Sequence, residues 1–137
     1  MVAENASRID VVWKGGLRYS GGAPAGTSLD VDGARESAPS PVEAMVVALA
    51  SCAAIDVVEI LGKRRTPPEA LSVSVDYERA DEPPRRIVRA DLLFRIRGVS
   101  DAQGVERALE LSFNKYCSVS ATFAPDTELG WRYELES

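Results

Sequence analysis

Apolar and polar residues alternate most regularly in the second half of the chain. Leu71, Val73, Val75 and Tyr77 fall on one face of the segment Leu71 to Arg79, and Ser72, Ser74, Asp76 and Glu78 on the other. Arg86 to Arg97 repeats the pattern, with Val88, Ala90, Leu92, Phe94 and Ile96 set against Arg89, Asp91, Arg95 and Arg97. A period of two predicts strands with one solvated face, and Asp81 to Pro84 supplies the turn of a hairpin. Shorter strands are predicted at Ser7–Trp13, from Leu17 to Tyr19 after the Gly15-Gly16 turn, and at Thr27–Val31. A final strand is predicted where Trp131, Tyr133 and Leu135 alternate with charged neighbours.

Between these strands the pattern changes. Ser40 to Arg65 reads SPVEAMVVALASCAAIDVVEILGKRR, and from Ala44 to Ile55 only Ser51 is clearly polar. Ser40 and Glu43 have the spacing of a capping box, with Pro41 at the first helical position. Gly62 stands where a left-handed terminating residue belongs, cations follow it, and Pro67-Pro68 forbid continuation. These signals predict a helix of about 21 residues, roughly 31 Å long. An all-round apolar helix is expected to be surrounded by protein. A second helix, capped by Ser100 and striped with Val105, Ala108, Leu109 and Ser112-Phe113, is predicted to run to about Tyr116. Cys117 follows it, and Ser118 is placed to cap a further short turn through Phe123.

The predicted order is βββ-α-ββ-α(α)-β, an α+β fold with an antiparallel sheet around a long central helix, in one domain spanning residues 1–137. A single six-stranded sheet covers only one side of that helix. A homodimer packing two such helices between two sheets would cover the rest.

Composition changes this picture mainly by exclusion. A net charge of −5 argues against nucleic acid or an anionic membrane as partner. The apolar run ends at Asp56 after about 12 residues, which reads as too short to span a bilayer. With no basic-then-apolar leader at the N-terminus, the expected location is cytoplasmic. The chain contains no histidine, which removes Ser-His-Asp and Cys-His pairs, His-ligated zinc and His general bases. Two distant cysteines make no four-cysteine metal site, so neither a metal nor a cofactor is expected.

A thiol assisted by arginine, a carboxylate or a helix end is therefore the main candidate chemistry. Cys52 lies in the middle of the long helix, where a small buried side chain is its plainest role. Asp56, one turn on and on the same face, would raise the thiol's pKa, so a reactive Cys52 needs a cation from elsewhere. Cys117 sits between two helical segments, the second of which would favour its thiolate. The two thiols invite a disulfide if their Cα atoms approach within about 7 Å. Glu43 has a structural role as the capping acid. Nine residues of helix separate it from Cys52, about 180° of rotation and 13 Å of rise, so it could serve that thiol only across a dimer interface. Arg18 and Arg35 are the candidate thiolate partners, each with solvated surface charge as its alternative.

The segment SPVEAMVVALASCAAIDVV resembles the OsmC/Ohr family signature, a Pro-x-Glu opening a long helix with a cysteine near its middle. NKYCSVSATF is similar to the family's second-cysteine motif, with Ser118 in place of the usual proline. The resemblance spans essentially the whole chain and is nearest to the family's short branch. It implies an intertwined homodimer with two interfacial sites and a thiol peroxidase acting on organic hydroperoxides. By that resemblance Cys52 matches the peroxidatic thiol, Cys117 the resolving thiol, Glu43 the helix-start acid and Arg18 the arginine after the Gly-Gly turn, with Arg35 as its alternative. An external dithiol, for example of lipoyl type, would reduce the disulfide. Met45, Leu49, Phe113 and Phe123 are expected to favour an organic peroxide over hydrogen peroxide by burying its tail. The rival expectation is a non-catalytic dimer that responds to redox state or binds a small apolar ligand.

Overall fold

The computed structural model describes residues 3–137, which form two compact units, one ending at Val46 and the other running from Val47 to Ser137. The N-terminal unit is an antiparallel meander of β1 (Asp10–Gly15), β2 (Arg18–Gly22) and β3 (Ser28–Asp32). Gly15 and Gly16 have φ of 103° and 57°, the left-handed backbone that the tight β1–β2 turn requires. Ile9, Val11, Val12, Trp13, Leu17, Tyr19 and Leu29 are all exposed.

Helix α1 (Pro41–Lys63) starts at the expected capping box: Glu43 N–H donates to Ser40 Oγ at 3.1 Å and Ser40 N–H to Glu43 Oε1 at 2.9 Å. Its other end corrects the expectation for Gly62, which is helical. Arg65 takes the left-handed position at φ 62°, with Thr66 N–H donating to Leu61 O and Arg65 N–H to Gly62 O. Lys63 and Arg64 are good helix formers, so the chain passes Gly62 before the left-handed turn at Arg65 closes the helix ahead of Pro67.

The C-terminal unit holds a second three-stranded sheet in the order β4 (Ala70–Arg79), β5 (Ile87–Arg97), β6 (Glu128–Glu136). The expected single antiparallel sheet is thus two sheets, and β6 runs parallel to β5. The reason is the connection: α2 (Ala102–Leu111), a π-turn (Ser112–Tyr116) and α3 (Ser118–Thr122) form a crossover long enough to return the chain in the same direction. Asp101, rather than the expected Ser100, caps α2 through Gly104 N–H.

Register aligns Leu71, Ile96 and Leu135; Val73, Phe94 and Tyr133; Val75, Leu92 and Trp131; and Tyr77, Ala90 and Leu129. These rows share a core with Leu49, Ala53, Val57 and Leu61 of α1 and with Val105, Ala108 and Leu109 of α2. The spacing of four along α1 gives it one fully buried stripe. By length and composition alone this 23-residue helix could cross a membrane, contrary to the expectation from its apolar run; 28% of its most apolar stretch is buried, and one stripe of it joins the core. It is not enclosed all round: Met45, Val47, Ile55 and Val58 remain exposed.

Candidate active site

The side chains singled out in the sequence fall into one group in each unit. In the N-terminal unit, the loop after β3 is organised by Asp32. Its buried carboxylate accepts the N–H groups of Ala34, Glu36 and Ser37 and the Ser37 hydroxyl, at 2.9 to 3.2 Å. The Ser37 N–H does most to hold that carboxyl below the usual carboxylate range, with Ala34 next. The loop places Arg35 at φ 60°, a left-handed backbone uncommon for a side chain of this kind. Arg35 Nε lies 3.2 Å from Glu43 Oε1, the same oxygen that accepts the Ser40 N–H. The Ser40 N–H chiefly, and Arg35 with it, hold the Glu43 carboxyl below its ordinary value. Glu43 is therefore both helix cap and arginine holder. Arg18 instead turns to its own hairpin, Nη2 donating to Lys14 O at 2.9 Å.

In the C-terminal unit, two thiols far apart in sequence meet at the start of α3. Both are free and reduced, with Cys52 half-buried and Cys117 buried. Cys117 is the N-cap of α3: its Sγ accepts the Ser120 N–H at 3.3 Å, the role expected of Ser118. Cys52 packs against the core cluster that contains Cys117, and the Val119 N–H and the Cys117 thiol both act on its sulfur. The Val119 N–H is the largest single influence on Cys52 and favours its thiolate. Burial, the Cys117 thiol and the Asp56 carboxylate together outweigh it, so the Cys52 pKa lies above its ordinary value. None of these main influences is a guanidinium.

Sequence reasoning anticipated a helix start beside Cys117 but missed the bonds made by one buried hydroxyl-bearing residue, Ser112. Ser112, fully buried, donates from Oγ to Asp56 Oδ2 at 2.8 Å, and its carbonyl accepts the Cys117 N–H at 2.7 Å. A serine continuing the apolar stripe of the predicted second helix, at a position that burial should disfavour, was the available signal. The expected pocket lining is corrected in one place. Leu49 is completely enclosed in the core, while Phe113 packs edge-on against Phe94 with ring centroids 6.5 Å apart.

Comparison with known proteins supplies the family. Residues 33–132 match the model of the OsmC-like proteins. The chain is 37% identical over 128 residues to Protein YhfA of Escherichia coli (strain K12), an alignment covering 91% of this chain and 95% of that one. An OsmC-like protein from Mycoplasma pneumoniae shares the fold at a TM-score of 0.81 and 12% identity, over 98% of this chain and 100% of its own. An organic hydroperoxide resistance protein OsmC from Legionella pneumophila aligns at a TM-score of 0.65 and 14% identity, over 99% of this chain and 100% of its own. The match over residues 33–132 and the extent of identity to YhfA make this chain a member of the OsmC-like family.

Proposed function

We propose that this protein is a thiol peroxidase for organic hydroperoxides, working as a homodimer in which each site takes its thiols from one copy and its arginine from the other. The observation that carries the reading is the packing of Cys52 beside Cys117 at the start of α3, where the Ser120 N–H donates to the Cys117 sulfur. The hydroperoxide resistance function described for the Legionella protein is consistent with it.

The Cys52 thiolate attacks the outer peroxide oxygen. The O–O bond breaks, the alkoxide leaves and takes up a proton as alcohol, and Cys52 becomes a sulfenic acid. The Cys117 sulfur then attacks the Cys52 sulfur. The S–O bond breaks, the hydroxyl leaves with the Cys117 proton as water, and a disulfide remains for an external dithiol to reduce by two electrons. The first step needs a cation, because the Cys52 thiol alone is shifted away from ionisation. Arg35 is the better supplied candidate. Glu43 orients its guanidinium, and its side chain is 68% exposed, available to a second copy. It would favour the thiolate and steady charge on the departing alkoxide.

Reduced protein mixed with cumene hydroperoxide and dihydrolipoamide tests this. Sustained peroxide loss that Cys52→Ser abolishes is the expected result. Cys117→Ser should still form a sulfenic acid on Cys52, trapped by dimedone, but fail to close the disulfide. The raised Cys52 thiol favours the non-catalytic rival: no turnover, with both thiols titratable after peroxide, would establish it.

A further inference from the structure

We propose that Asp56 and Ser112 are a positioning pair that holds the two thiols in register for disulfide closure. The proposal deepens the peroxidase reading and rests on it for its physiological meaning. Ser112 is bonded to a neighbour of one cysteine and to the backbone of the other. Its hydroxyl binds Asp56 at 2.8 Å, one turn along α1 from Cys52, and its carbonyl binds the N–H of Cys117 at 2.7 Å. One buried residue thus bridges the helix that carries the first thiol to the backbone that carries the second.

The π-turn makes the bridge specific. Its closing bond, Cys117 N–H to Ser112 C=O, spans five residues, one more than an α-helical bond. The added residue rotates the succeeding backbone by about 100° relative to a continued α-helix, so Ser112 and the direction of Cys117 are set together. Asp56 is otherwise hard to account for. A carboxylate beside a thiol opposes its ionisation, and Asp56 does so here. Its charge is met by the Ser112 hydroxyl, and it lines a cavity of about 540 Å³ with Glu59, Lys63, Arg64, Arg107 and Tyr116. An acceptor at this place is needed to hold Ser112; a negative charge is not.

Rapid-quench measurements separate the two chemical steps. With one equivalent of cumene hydroperoxide, Ser112→Ala and Asp56→Ala should form sulfenic acid within about threefold of the wild-type rate and close the disulfide at least tenfold more slowly, so that dimedone-trapped Cys52 accumulates. Asp56→Asn keeps an acceptor oxygen without the charge. It should close within twofold of wild type while its Cys52 alkylates at lower pH. A loss of fold would not spare the first step or be rescued by asparagine. Closure in Ser112→Ala at the wild-type rate, or Asp56→Asn as slow as Asp56→Ala, would overturn the proposal. Diamide, which takes up the two electrons and two protons of closure itself, repeats the comparison without peroxide. Wild-type protein that closes with diamide yet ignores peroxide would remove the peroxidase reading, and the same variant order would still decide the role of Asp56 and Ser112.

Discussion

Glu43 Oε1 receives both the Ser40 N–H and Arg35 Nε, so a group readily explained as a helix cap also fixes an exposed guanidinium. If that guanidinium stabilises the thiolate and the leaving alkoxide, Arg35→Gln should lower kcat/KM for cumene hydroperoxide by about 10²-fold, comparable to losing one oxyanion donor. Arg18→Gln, whose guanidinium is committed to Lys14 O, should stay within about threefold. Steady-state kinetics of both variants distinguish the two arginines. The same residues predict an acid limb of stability. Asp32 and Glu43 have folded-state pKa values below their ordinary 3.8 and 4.5. Their stabilisation is therefore full above those values and lost as pH falls through the lower folded ones. Thermal melts should show Tm declining in that acid window, with a shallower decline in Asp32→Asn, which is also less stable at neutral pH. The cysteines were legible as candidates because a histidine-free chain with two thiols has few other nucleophiles. Glu43, Arg18 and Arg35 were legible from their places at the helix start, after the Gly15-Gly16 turn and before the helix. Glu43's choice of Arg35 was not, because it depends on the loop that Asp32 shapes through three backbone N–H groups.

Among the elements, those with a repeating pattern were the ones the chain announced. β4 and β5 were readable because Leu71, Val73, Val75 and Tyr77 alternate with polar residues, and the structure places these four against the core. Alternation identifies faces and carries no information about strand direction, so the parallel β5–β6 pairing escaped it; the intervening helices were the available signal. Helix α1 was legible at its start, where side-chain chemistry specifies the cap. Its end was misplaced because a glycine permits termination without enforcing it. The buried stripe of α1 was hidden by a sequence apolar on every face. Leu49 belongs to that stripe and is fully enclosed. Leu49→Ala should cost about 2–5 kcal/mol, measured as a lower urea midpoint at unchanged slope.

For the whole molecule, apolar exposure and incomplete chemistry point the same way. Val47 and Ile55 on α1 are 59% and 57% exposed, Trp13 and Leu29 on the N-terminal sheet 63% and 62%. Apolar surface on this scale ordinarily marks an interface. The main influences on Cys52 are a backbone N–H, burial, a thiol and a carboxylate, and the N-terminal unit presents Arg35 with most of its side chain in solvent. A twofold arrangement in which each copy's Arg35 serves the other's Cys52 would meet both conditions. It has a consequence that no one-chain site shares. Arg35→Gln lacks the cation and Cys52→Ser lacks the nucleophile, so each alone should be nearly inactive. Unfolded together and refolded in equal amounts, random pairing puts about half the chains into mixed dimers, and each mixed dimer regains one of its two sites. Activity should recover to roughly a quarter of wild type, with light scattering checking that the dimer has re-formed. A same-chain site gives no recovery, since the copy that retains its cysteine still lacks its own arginine. Dimers that form and remain inactive would therefore reject the shared site while leaving the interface intact.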